Sequence, residues 1–295
     1  AALIAASGTI GVVIPPSVPM VLYAVIAGVS VAKLFMAGFV PGFLMGLGLI
    51  VYSIYVARKR GYPASRSTTG REKWKLFLDA TWGLMTPVII LGGIFSGFFT
   101  PSEAAAVAVV YSLFVAFFIY RSLSFKQFYK IVVGSGVTSA LIMFIIATAK
   151  LFGWGLAFFQ IPEAVARFLL GFAGGNTFMI YFMITIIILL AGMFMETASA
   201  LIVLTPIFLP TIIRTGGNLL HFGVLIAIGL AIGMATPPVA INIYVAGAIT
   251  GLPMEQISKP IIPMVFVLIA ILLLVTYVPS LILSLPMLVW GPGGI

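Results

Sequence analysis

The chain has no cysteine, one histidine and only six acidic residues in 295 positions. The missing cysteine excludes a disulfide framework and thiolate metal sites, and a lone His221 leaves no histidine-rich metal centre. Six acids, one histidine and no cysteine leave no clustered acid, base or nucleophile for an intramembrane enzyme. No Gly-x-x-x-x-Gly-Lys-Ser/Thr phosphate loop occurs, so ATP is not hydrolysed by that route. Charge is scarce overall, at 7% of residues, whereas 62% are hydrophobic. Apolar runs fill nearly the whole length, and about 20 such residues suffice for a spanning helix.

The formal charge of +9 could suggest a nucleic-acid partner. The basic residues instead collect in short segments between apolar runs, as the positive-inside rule expects, and no nucleic acid is implied. Arg58, Lys59, Arg60, Arg66, Arg71, Lys73 and Lys75 stand against Glu72 alone, which places 58–75 in the cytoplasm. Runs at about 85–99 and 102–120 then read as a hairpin out and back, because Arg121, Lys126 and Lys130 make its far end basic too. Residues 79–85 read as an interfacial helix, and the run 131–159 as interrupted at Gly153 and Gly155. His221 reads as interfacial. Ala1 to Ala6 are already apolar and helical without a basic leader, so the chain is expected to begin inside an element.

Two proline pairs interrupt apolar helices near opposite ends: Gly11-Val12-Val13-Ile14-Pro15-Pro16 and Gly233-Met234-Ala235-Thr236-Pro237-Pro238. Pro15 and Pro237 are 222 residues apart (237 − 15), and Pro41 and Pro263 repeat that spacing. Proline lacks an N–H and clashes with the preceding turn, so each pair frees carbonyls at membrane depth. Paired interruptions in two halves point to the ion and substrate site of a secondary transporter. The fold expected is an all-α polytopic membrane protein with inverted repeats, broken helices and a re-entrant helical hairpin. Residues 1–130 form the remainder of the first repeat with connecting helices, including a broken helix at 3–27. Residues 131–295 form the second, with a hairpin at about 177–213, a broken helix at about 221–250 and a final spanning helix at about 261–285.

Gly8, Thr9, Gly11 and Ser17 accompany the first break, and Gly233, Thr236 and Asn242 the second. Neither cluster holds a strong acid, which fits an alkali cation held by carbonyls and hydroxyls; plain proline kinks with glycines for close packing are the alternative. Glu196, in the polar island Glu196-Thr197-Ala198-Ser199, is costly near the membrane centre unless paired or hydrated. It can serve as a cation ligand, a proton carrier or a brace, or simply accept N–H groups at a helix start. Thr100-Pro101-Ser102-Glu103 reads as such a helix start.

Ser7-Gly8-Thr9-Ile10-Gly11, Ile14-Pro15-Pro16-Ser17, Thr100-Pro101-Ser102-Glu103-Ala104, Gly192-Met193-Phe194-Met195-Glu196-Thr197, His221-Phe222-Gly223 and Thr236-Pro237-Pro238-Val239 occur in this order. Together they resemble the large membrane subunit of TRAP (tripartite ATP-independent periplasmic) transporters over essentially the whole chain. The resemblance implies an elevator-type importer in the bacterial cytoplasmic membrane, coupled to sodium and needing no organic cofactor. Its substrate would be an organic acid of the sialic acid or C4-dicarboxylate class. Its partners would be a periplasmic substrate-binding protein and a small four-helix membrane subunit, within the lipid bilayer. Carried over by motif, sodium falls to Ser7, Gly8, Thr9, Gly11, Thr197, Gly233 and Thr236, partly through main-chain oxygens. Ser17, Glu196, Ser199 and Asn242 fall at the substrate or hairpin tip. Many members have Asp at the position of Glu196 and Gly at that of Ala240, and the family's first hairpin would precede Ala1. A carboxylate permease working without a binding protein, and a channel, are the competing transport readings.

Overall fold

A computed structural model describes residues 1–62 and 69–291, and the regular structure among them is helical throughout. Residues 63–68 of the basic segment, with Arg66, lie outside the described residues. Eight of the described helical stretches are long and apolar enough to cross a membrane. The chain divides into two compact units, one formed by 1–60 with 146–295 and the other by 61–145.

The first unit opens on a helix broken as expected. Helices α1 (Ala2–Ser7), α2 (Ile10–Val13) and α3 (Val18–Ala27) are separated at Gly8-Thr9 and at Ile14 to Ser17. Pro16 occupies the position whose N–H would serve the Val12 carbonyl, and the Ser17 hydroxyl donates to that carbonyl in its place. The same oxygen accepts from the Met20 amide and so caps α3, whose second residue is Pro19. One side chain thus closes both ends of the break. Helix α4 (Val31–Arg60) then runs unbroken through Pro41 to three basic residues in its last turn.

The second unit contains α5 (Gly70–Phe95) and α6 (Pro101–Phe114), the latter continuing as a π-helical turn, Val115–Ile119. Thr69 with Glu72, and Thr100 with Glu103, form reciprocal capping boxes, so Glu103 has the helix-start role read from its sequence. Residues 79–85, expected as a separate interfacial helix, lie inside α5. Tyr111 donates to the Trp82 carbonyl at 2.9 Å and Tyr120 to that of Asp79 at 2.8 Å. These bonds fix α5 and α6 antiparallel. Helix α7 (Phe125–Phe158) contains the boundary between the units. It passes through Gly153 and Gly155 without a break. Glycine permits a bend but does not impose one, and membrane helices tolerate it.

The remaining helices return to the first unit. Helix α8 (Ile161–Phe172) is amphipathic and buries Pro162, Ala166 and Leu169. Helices α9 (Thr177–Phe194) and α10 (Thr197–Arg214) form a helical hairpin with Met195 and Glu196 at its tip. Helix α11 (Leu219–Met234) is the core: every residue from Leu220 to Gly233 is buried. It packs against α9, α10 and α2 to α4, and also against α13 (Met254–Tyr277) and α14 (Pro279–Trp290). The second broken helix continues beyond Pro237-Pro238 as α12 (Ile241–Thr250). Both proline pairs carry a cis bond between the two prolines.

The final span differs from the expectation. Helix α13 begins at Met254 and continues through Pro260 and Pro263, and α14 follows after Val278 rather than one helix reaching 285. Pro279 disfavours helical geometry at Val278, which sits at φ −122°, ψ 73°. His221 is buried, 2% exposed, with its Nε2 3.0 Å from the Val275 carbonyl oxygen. The polar ring is tolerated there because a main-chain partner satisfies it.

Candidate ion and substrate site

The hairpin tip is built by a change of backbone direction at Met195 (φ −121°, ψ 149°) and Glu196 (φ −67°, ψ 144°). Glu196 is the N-cap of α10. Its carboxylate accepts from the Ser199 amide at 3.1 Å and from the Ser199 hydroxyl at 3.4 Å, satisfying a group that would otherwise lack a partner. Glu196 is exposed and Ser199 half-buried beside it. Of the roles open to Glu196, its contacts display that of a carboxylate at a helix start accepting an N–H, all within the first turn of α10.

Thr197 points the other way. It is 1% exposed, and its hydroxyl donates to the Met234 sulfur on α11 at 2.6 Å. A thioether is a weak acceptor, and both oxygen lone pairs of the threonine remain available to a cation. The tip can approach α11 this closely because glycines face each other. A Cβ on Gly192 would lie 2.7 Å from the Leu230 carbonyl oxygen, and one on Gly233 would lie 2.5 Å from Gly192 Cα. Small residues permit such backbone contact, which drives helix association where water is absent.

Beyond Gly233, the Thr236 hydroxyl donates to the Ile232 carbonyl at 2.8 Å. The Met234 carbonyl loses its usual donor because Pro238 occupies that position. Ala240 holds a left-handed backbone (φ 49°, ψ 62°) to start α12. That turn presents Asn242, whose Nδ2 donates to the Ala5 carbonyl at 3.2 Å. A Cβ on Gly8 would sit 3.3 Å from the same nitrogen. The two broken helices therefore meet, joined by a hydrogen bond between residues 237 positions apart in sequence. At the first break, Ser7 donates to the Ile4 carbonyl at 3.0 Å and the buried Thr9 to that of Ala6 at 2.7 Å. Gly11 has open space where a side chain would be.

All these residues lie in the unit formed by 1–60 with 146–295. The structure brings together Gly8 with Asn242, and Thr197 with the Gly233 end of α11. It leaves Ser17 occupied in joining α2 to α3. Three participants were not singled out from sequence: Met234, the acceptor for Thr197; Gly192, the counterpart of Gly233; and the Ala5 carbonyl. Only Gly192 carried a signal, as a small residue four positions before the tip. Among the described residues no three His, Asp or Glu side chains cluster as metal ligands. The ligands available at the breaks are hydroxyls, carbonyls and one amide, hard oxygen groups rather than the imidazoles and thiolates that suit transition metals.

A polytopic helical membrane protein with a helical hairpin laid on a broken helix, and a second broken helix docked to the first, is the architecture of a secondary transporter. Residues 1–281 match the family described as tripartite ATP-independent periplasmic transporter, DctM component. The chain is 42% identical over 282 residues to the isethionate TRAP transporter permease protein DctMQ of Oleidesulfovibrio alaskensis, covering 95% of this chain and 44% of that protein. It is 42% identical over 286 residues to the C4-dicarboxylate TRAP transporter large permease protein DctM of Pseudomonas aeruginosa, covering 97% of this chain and 67% of the relative. It is 36% identical over 291 residues to the sialic acid TRAP transporter large permease protein SiaM of Vibrio cholerae, covering 99% and 68%. The chain thus spans under half of the first relative and about two thirds of the other two. It belongs to the DctM family of TRAP transporter large permeases. This is a family of transporters rather than enzymes, and the chain is a multi-pass protein of the bacterial cytoplasmic membrane.

Proposed function

We propose that this chain carries out sodium-coupled import of an organic acid, delivered by a periplasmic substrate-binding protein and with a small membrane subunit bracing the permease. The observation that carries the coupling is the docking of the two broken helices through Asn242 and the Ala5 carbonyl, with neutral oxygens gathered on both sides. An unwound helix presents carbonyls to a cation without a titratable group, so sodium binds and leaves without proton exchange. The Thr197 hydroxyl and the Met234 carbonyl flank the tip. Sodium held there would press the tip onto α11 and set the position of the surface that receives the substrate carboxylate. Glu196 braces that terminus rather than neutralising the cation. No organic cofactor takes part.

The names of the relatives support the substrate class, carboxylates and a sulfonate among them. The fused name DctMQ supports a membrane-subunit partner. The recurrence of the proline pair after 222 residues supports two inverted repeats, with 1–130 and 131–295 as their portions here. The movement proposed is an elevator displacement of the hairpin and broken helices against the rest, one form of the alternating access that such repeats permit. The test is uptake of labelled organic acids into proteoliposomes containing the complete complex. Uptake should require both a sodium gradient and the binding protein. Equal uptake driven by protons in sodium-free buffer would refute the coupling, and full uptake without binding protein would make this a permease that works alone.

A further inference from the structure

An apolar groove of about 550 Å³ runs along the first unit between α4 and α13, lined by no residue of the broken helices. Leu44, Leu47 and Val51 form one wall and Val267, Ile271 and Leu274 the other. Its floor is Gly48, where a Cβ would meet Ile271 Cδ1 at 2.7 Å and Val267 Cγ1 at 3.0 Å, so the helices touch there and diverge outward. From Leu44 to Tyr55 is eleven residues of α4 (55 − 44), or about 16 Å at 1.5 Å per residue. Half of a hydrocarbon core of ~30 Å is ~15 Å, so the groove matches the depth of one leaflet.

The ends of the groove are unlike. Near Leu44 it is purely aliphatic, whereas Tyr52 and Tyr55 line the other end. One turn further along α4 come Arg58, Lys59 and Arg60, all exposed. Lys59 folds back toward the groove, its Nζ 5.8 Å from the centroid of the Tyr55 ring. Tyrosines beside a basic cluster mark the interface between hydrocarbon and headgroups, and basic residues there attract anionic lipid. An aliphatic slot one leaflet deep, with aromatic rings at its mouth and cations just above, has the polarity sequence of a phospholipid read from tail to headgroup.

We propose that this groove is a binding site for an anionic phospholipid, one acyl chain lying between α4 and α13 and the phosphate held by Arg58 and Lys59. Occupancy would fill a gap between two core-contacting helices while leaving the broken helices untouched. The test uses the complete complex in phosphatidylethanolamine vesicles carrying a trace of phosphatidylglycerol with a diazirine on its acyl chain. Irradiation and peptide mapping should place adducts in 44–55 and 267–274, and unlabelled phosphatidylglycerol should compete them away. Arg58→Gln and Lys59→Gln should each lower labelling about fivefold. Leu47→Trp, which fills the slot, should abolish it with the basic residues intact. If that variant does not fold, competition on the unaltered protein still decides. Equal labelling by a zwitterionic phosphatidylcholine probe, indifference to both glutamine variants, or crosslinks showing a protein helix seated along Val51 would each overturn the proposal.

Discussion

Gly233→Ala puts the tightest contact of the candidate site to the test. The added Cβ would lie 2.5 Å from Gly192 Cα and 2.8 Å from Met193 N, both main-chain atoms that no rotamer change can move. Carbon atoms are at ease near 3.5–4.0 Å, so the tip must retreat from α11 by about 1 Å. Overpacking of this kind costs about 1–3 kcal/mol. The retreat also lengthens the 2.6 Å contact between the Thr197 hydroxyl and the Met234 sulfur, so the loss should fall on the closed tip. Charged wholly to that closure, 1–3 kcal/mol corresponds to about 5- to 150-fold weaker sodium dependence of uptake. Sodium titration in proteoliposomes measures it. Detergent-solubilised thermal unfolding separates a tip effect from general destabilisation. Gly136→Ala is the control, because a Cβ there meets nothing within 4 Å. Uptake, sodium dependence and unfolding all unchanged in Gly233→Ala would refute the packing argument.

Glu196→Gln should lower transport while leaving the sodium half-saturation in place, since a glutamine oxygen can still accept from the Ser199 amide; a large rise in half-saturation would instead make the carboxylate a ligand. Thr197→Ala removes a buried hydroxyl and should raise the half-saturating sodium concentration about tenfold, ~1.4 kcal/mol, and an unchanged value would take Thr197 out of the site. Asn242→Ala severs the bond to the Ala5 carbonyl and should cost about 1 kcal/mol in unfolding measurements, with uptake falling in parallel. Unaltered stability would mean that the broken helices are held by packing alone. Cysteine placed at Ser65 should resist a membrane-impermeant thiol reagent from the periplasmic side, and ready labelling there would invert the topology.

Where a rule involves neighbours in sequence, the chain was legible. A proline pair removes specific donors, so the breaks at Pro15-Pro16 and Pro237-Pro238 lie where the sequence places them. The helix start at Thr100 and the hairpin tip at Glu196 follow equally local rules of capping. The errors were local rules applied too strongly. Gly153 and Gly155 permit a break in α7 but do not impose one, and Pro260, just before the expected start of the final span, stands inside α13. Pro279, two residues past the end of α13, accompanies the true interruption, because its predecessor Val278 leaves the helical region that a following proline disfavours.

The relations that make a site were not local, and no periodicity encodes them. Thr197 and Met234 are 37 residues apart, and Asn242 and Ala5 are 237 apart. What the sequence offered was a list of small and hydroxylic residues beside two breaks, which describes a packing seam as well as an ion site. Geometry shows which of them form the seam. Gly192 and Gly233 are seam residues, since backbone fills the space a side chain would need, whereas Gly11 has open space and Thr197 keeps unused lone pairs in a buried position. Under the proposed coupling, a seam tight enough to exclude a methyl group, next to hydroxyls with spare acceptor capacity, would let a small cation couple the tip's position to its own binding. The close contact would supply a closed state that a small displacement destroys, and the oxygens would supply affinity only while that state holds.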